Sequence, residues 1–118
     1  MSFFQFRGKK YEYFDHTSNQ TKVNERRVEL PLAFEFVENN KNIIEIGNVT
    51  HHYKRYYTHD VLDLFEKVPW WPIINEDVLT WNPKKKYDAA LSISTLEHTV
   101  NPVLAVRRVL SFAPHVLI

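Results

Sequence analysis

Four short runs hold the residue types that could do chemistry, and they recur in order along the chain. Glu45 stands two positions before Gly47, with Asn48 after it. A glycine at a turn lets backbone approach a ligand closely, and a nearby carboxylate can accept hydrogen bonds from an amine or from hydroxyls. Asp63 follows the next apolar run. A carboxylate in that place either accepts both hydroxyls of a ribose or is a solvated loop acid. Glu76-Asp77-Val78 joins an acid pair to an apolar residue, so Asp77 can accept from an exocyclic amine while apolar neighbours hold a ring. Ser92-Ile93-Ser94-Thr95-Leu96-Glu97-His98 sets small hydroxyls before an acid and an imidazole. His98 suits proton removal from a hydroxyl, because an ordinary imidazole titrates near neutrality; the alternative is a ring held by loop backbone. The four runs together describe a cleft for a ligand with an amino-acid part, a ribose and a base.

Such groups converge only if regular elements bring them to one edge. Ile43-Ile44-Glu45-Ile46, closed by Gly47, is a β-branched run that reads as a buried strand. Val61–Phe65 reads as a second strand, Ile73-Ile74 after Pro72 as a short third, Ala89–Ile93 as a fourth and His115–Ile118 as a fifth. A helix is predicted from Asn24, with Val28, Leu30, Leu32, Ala33, Phe36 and Val37 at near-helical spacing. Pro31 shapes its early part, and Asn39-Asn40-Lys41-Asn42 breaks it. Asn101-Pro102 opens another helix through Leu104, Val106, Val109 and Leu110. Apolar strands separated by helical or loop segments predict a parallel sheet covered on both faces, with ligands beyond the carboxyl ends of the strands. All four runs fall there. Residues 1–22, aromatic and charged without a clean period, are expected to form an arm over the core, and 23–118 the domain proper.

Composition narrows the function classes. A chain of 118 residues, 44% apolar and 14% aromatic, fits one globular domain. Formal charge is +1, from fifteen basic and fourteen acidic residues. Residues 31–83 hold eight acids against four bases, a balance of −4, which argues against a nucleic-acid groove. The absence of cysteine excludes disulfides, thiolate metal sites and a Cys nucleophile. Mean hydropathy is −0.38, no apolar run is long enough to span a membrane, and the start Met1–Arg7 has no signal-peptide pattern. A cytoplasmic protein is therefore expected.

The most specific segment, Tyr87-Asp88-Ala89-Ala90-Leu91-Ser92-Ile93-Ser94-Thr95-Leu96-Glu97-His98, resembles the fourth-strand motif of the class I S-adenosylmethionine-dependent methyltransferases. Arg107-Arg108-Val109-Leu110 is similar to the helix before that family's fifth strand. Glu45-Ile46-Gly47 looks like its first motif, Asp63 its second and Asp77 its third. Glu45-Ile46-Gly47-Asn48 with His52-Tyr53 is closest to bacterial-type members. The resemblance runs from about Glu25 to Ile118. It implies an α/β fold: a Rossmann-like, doubly wound, mostly parallel sheet of about five strands with helices on both faces, lacking the usual last two strands. It implies S-adenosylmethionine as cofactor, with Glu45 and Gly47 at the methionine part, Asp63 at the ribose, Asp77 at the adenine, Ser94 beside the methyl-transfer opening, and Asn48 among the cofactor-binding residues. His98 is the candidate catalytic base, and a small-molecule acceptor fits the charge distribution.

The chain also departs from that pattern. Asn48 and Val49-Thr50 stand where later glycines are usual, and Ala113-Pro114-His115 replaces a glycine-rich turn. The last helix and two strands of the family are missing, so the chain is expected to be a fragment or to self-associate through an uncovered sheet edge. The rival function is a catalytically inactive or truncated binding or partner module. A nicotinamide-dependent dehydrogenase is excluded, since its Gly-x-Gly-x-x-Gly loop needs three glycines and the chain has two. Six histidines (His16, His51, His52, His59, His98, His115) show no His-x-x-x-His or His-Glu-x-x-His spacing, so no metal site is expected. Tyr53-Lys54-Arg55-Tyr56-Tyr57 is read as core and cleft-wall packing, with stacking on a base or substrate ring as the alternative, Lys84-Lys85-Lys86 as a solvated loop, and Trp70-Trp71-Pro72 as a cap on a sheet edge, with a substrate lid as the alternative.

Overall fold

The computed structural model describes residues 2–14, 25–54 and 59–118. His16, Asn24, Arg55, Tyr56 and Tyr57 lie outside the described residues. Within the expected arm, β1 (Phe3–Phe6) and β2 (Lys9–Glu12) form an antiparallel hairpin. Its turn residues Arg7 and Gly8 both take positive φ, 52° and 76°, the backbone hand that suits a two-residue hairpin. Phe4 stacks on Tyr11 directly across the ladder, with ring centroids 5.4 Å apart. Most of the hairpin faces solvent, so no apolar alternation marks it in the sequence.

Helix α1 (Arg26–Asn39) anchors this hairpin. Glu35 on α1 receives the Lys9 ammonium and the Tyr11 hydroxyl, the latter at 3.0 Å. Pro31 sits inside the helix and has no N–H to give the carbonyl of Arg27, four residues back. That carbonyl instead accepts the N–H of Phe14 at 3.0 Å, and the Phe14 ring packs edge-on against Phe34, centroids 5.3 Å apart.

The main sheet contains β3 (Ile43–Ile46), β4 (Asp60–Leu62), β5 (Ala89–Ser92) and β6 (His115–Leu117), all parallel, in the order β4-β3-β5-β6. Every residue of β3 and β5 is buried. Alternation divides them between two cores. Ile44, Ile46 and Ala90 pack with Ala105, Val109 and Phe112 of α3 (Pro102–Phe112). Ile43, Ala89 and Leu91 pack with Ala33 and Val37 of α1. The two helices thus cover opposite faces. A short helix α2 (His51–Lys54) follows β3, and a 3-10 turn, Leu96–His98, follows β5.

The sheet has four strands rather than the expected five. Ile73-Ile74 supplies only a single parallel bridge, Leu62 to Ile74. The Ile74 N–H donates to Val61 O at 2.9 Å, and Asp63 N–H to Ile74 O at 3.0 Å. Pro72, without an N–H, cannot carry the ladder backward. The second strand is also shorter than expected, stopping at Leu62 instead of Phe65. The Asp63 carboxylate accepts the N–H groups of Phe65 (3.1 Å) and Glu66 (2.9 Å), which turns the chain at once. Trp71 forms an isolated bridge with Val68, and Lys84, Lys85 and Lys86 are exposed. Among the described residues no helix is long and apolar enough to cross a membrane.

The start of α3 is as the sequence predicts: the Asn101 side chain caps it, accepting the Leu104 N–H at 3.2 Å, with Pro102 in the first turn. Asn101→Ala is expected to lower unfolding free energy by about 1 kcal/mol, read as a reduced urea midpoint with an unchanged slope.

Candidate functional site

Strand order reverses between β3 and β5, since β4 lies on one side of β3 and β5 on the other. The turns leaving these strands therefore diverge and open a crevice. The β3 turn is built around one buried acid. Glu45, on the α1 side of the sheet, has no exposed surface. Its carboxylate accepts the N–H groups of Val49 (3.2 Å) and Thr50 (3.0 Å) and the Thr50 hydroxyl (2.6 Å). His59 Nε2 lies 2.8 Å from Oε1, the oxygen that also accepts the Thr50 hydroxyl, while both N–H groups reach Oε2. The turn can close this tightly because Gly47 takes φ 87°. A Cβ there would fall 2.2 Å from Thr95 Oγ1.

The turn is joined to the next one. Asn48 N–H donates to Asp63 Oδ2 at 2.9 Å, while Gly47 N–H reaches Leu62 O at 2.7 Å. With Phe65 and Glu66 on Oδ1, Asp63 accepts three backbone donors. One of its roughly four acceptor positions is left for a ligand. Asp77 Oδ1 accepts the Leu79 N–H at 2.9 Å, and Oδ2 has no partner among the described residues.

These turns enclose a cavity of about 400 Å³. Gly47, Asp63, Asp77 and His98 all line it, from four separate stretches of chain. Apolar walls come from Ile46, Leu62, Leu64, Phe65, Val78 and Leu79, and a polar strip from Thr95 and Thr99. Three carboxylates (Asp63, Glu76, Asp77) border it, and among the described residues no Lys or Arg does. The exposed His98 ring makes no side-chain hydrogen bond among the described residues. Phe65, which the apolar run places in a strand, is 85% exposed at the cavity wall; the signal for its turn is the Asp63 carboxylate two residues earlier.

Three expected site residues stand outside the cavity walls. Glu45 supports the turn from behind. Asn48 is 4% exposed, engages Asp63 through its backbone, and has a buried side-chain amide without a partner among the described residues. Ser94, at φ 48°, donates its hydroxyl to Glu29 Oε2 on α1 at 2.8 Å. A second cavity, of about 560 Å³, lies at the amino ends of β5 and β6. Its Arg108 is occupied by the carbonyls of Val78 and Trp81 and by Asn82 Oδ1, while Lys85 and Lys86 also line it.

Behind the turn, the His51 and His59 rings stack at 4.5 Å. Burial first, then the neighbouring His59, holds the His51 imidazole down at about 4, against the opposing pull of Glu45. Gly47→Ala is expected to cost about 2–4 kcal/mol in urea denaturation, from positive φ and collision with Thr95 together. Adding Thr95→Gly should recover the collision part alone. No protein-family model, no curated protein and no solved structure matches the chain.

Proposed function

We propose that the chain binds S-adenosylmethionine in the cavity beyond β3, β4 and β5 and is a methyltransferase acting on a small-molecule acceptor. The observation that carries this reading is the meeting of Gly47, Asp63, Asp77 and His98 around one cavity whose walls hold three carboxylates and, among the described residues, no Lys or Arg. The phosphates of a phosphate-bearing cofactor would meet the like charge of those carboxylates, whereas a sulfonium and an ammonium are attracted. A volume of about 400 Å³ lies within the range of cofactor clefts. The four-stranded parallel sheet is compatible with a Rossmann-like fold, and the doubly wound arrangement, with Ile73-Ile74 as a rudimentary outer strand, belongs to this proposal.

The residues fit such a ligand part by part. Gly47 lets backbone approach the methionine portion, and Asp63 keeps one acceptor position for a ribose hydroxyl. Asp77 Oδ2 suits the adenine amine, with Val78, Leu79 and Phe65 against the ring. Bound there, the cofactor supplies an electrophilic methyl group on a sulfonium centre. The chain's own contribution is to orient the reactants and exclude water. An imidazole nitrogen of His98 takes the proton that a hydroxyl acceptor gives up as it is methylated. Glu45 acts through the turn and is a positioning residue.

Calorimetric titration tests the reading. Saturable one-to-one binding of S-adenosylmethionine is expected, with ATP and NAD giving no heat. Asp77→Asn keeps the acceptor for Leu79 N–H but sets a donor against the adenine amine; it should weaken binding by about 1–3 kcal/mol, roughly 5- to 150-fold. A folded chain that gives no heat with S-adenosylmethionine overturns the proposal and leaves the binding or partner module.

A further inference from the structure

On the α1 side of β3, away from the cavity, three side chains of metal-ligand type meet. Glu45, His51 and His59 are 0%, 1% and 5% exposed. One donor atom from each, a carboxylate oxygen and two ring nitrogens, lies within 4.8 Å of the others. They come from the third residue of β3, the first residue of α2 and the residue before β4. This dispersal is why sequence spacing shows no metal motif.

We propose that Glu45, His51 and His59 bind one divalent transition-metal ion of the zinc class. Two imidazole nitrogens and a carboxylate oxygen form a donor set suited to zinc or a neighbouring ion, while calcium and magnesium want oxygen ligands throughout. Nitrogen and oxygen ligands bonded at about 2.0–2.1 Å in a tetrahedron stand roughly 3.4 Å apart. The cluster must therefore contract by roughly 1 Å, which side-chain torsions can supply. Glu45 and His59 are already at 2.8 Å, and their hydrogen bond would give way to two bonds to the ion.

An ion has a way in, because a cavity of about 310 Å³, lined by Lys41, Asn42, Asp60 and Lys85 among others, reaches His59. Lys85 is drawn to Asp60 at 3.1 Å, so its charge is partly answered. Three protein ligands would leave a fourth position for water or a small solute. Because Glu45 also holds the β3 turn, occupancy of this site and order of that turn are linked. The site stands independently of the methyltransferase reading, since none of its three ligands lines the cavity.

The test uses the full chain, stripped of metal with a chelator. Zn²⁺ is titrated against a competing chromophoric chelator, and Co²⁺ is followed by visible absorption. One ion per chain is expected, at micromolar or tighter affinity. His59→Ala and His51→Ala should each weaken binding by about 100-fold or more, beyond the loss typical of an outer-shell change. His52→Ala and His115→Ala should leave it intact, which separates the site from the exposed His52–Glu66 pair. If the core variants fail to fold, imidazole nitrogen resonances of the unaltered chain decide: Zn²⁺ should move those of His51 and His59. Absence of stoichiometric binding, binding that survives both core substitutions, or shifts confined to other histidines would overturn the proposal.

Discussion

A buried carboxylate must be answered by donors, and at Glu45 the answer organises the carboxyl edge of the sheet. Taking such a charge out of water costs several kcal/mol even after relaxation. The nearest donors are the backbone of Val49 and Thr50 and the Thr50 hydroxyl. To deliver them, the chain must double back within four residues of the strand. That demand places Gly47 in the left-handed region and drives its bare Cα against Thr95. It also aims Asn48 N–H at Asp63, whose carboxylate then ends β4 and sets the following loop. One buried charge thus fixes the β3 turn, the β4 turn and their distance from the β5 turn.

The alternation of β3 keeps that charge apart from the cavity it helps to shape. Ile44 and Ile46 face α3, and Ile46 continues into the cavity wall; Glu45 points the other way, toward His51 and His59. The sheet therefore separates two polar centres of different kind. One is enclosed and rich in imidazole. The other is open, apolar along its walls, and edged by carboxylates. A one-residue slip in the β3 register would exchange them, which makes the pairing of this strand with both neighbours the point of least tolerance.

Much of this was legible in the residues. Ile43–Ile46 and Ala89–Ser92 are continuous apolar runs because both faces of the sheet are covered, and Asn101-Pro102 states its cap in two residues. The outer strand was not legible. Ile73-Ile74 has the right side chains, but Pro72 and the carboxylate of Asp63 limit it to one bridge, and neither effect shows in an apolar count. The convergence of Gly47, Asp63, Asp77 and His98 followed from their places after strands. The roles of Glu45 and Ser94 did not, because strand parity and a positive-φ turn decide which way a side chain leaves the backbone. The Glu45–His51–His59 cluster escaped for a related reason: spacing rules describe ligands on one helix, and these come from three elements.

The pairing pattern also bears on the order in which the chain assembles. Along the sheet, β4 joins β3 across 16 residues (Ile44 to Asp60), β6 joins β5 across 26 (Ala89 to His115), and β5 joins β3 across 46 (Ile43 to Ala89). Closing the longest of these loops costs about 1 kcal/mol more chain entropy than closing the shortest. Two half-sheets, β3 with β4 and β5 with β6, are therefore the natural early units, and their union through β3 and β5 is the late event. The cavity straddles that seam, with Gly47 and Asp63 on one half and His98 on the other. It comes into being only when the halves dock, so an incompletely folded chain lacks the cavity altogether.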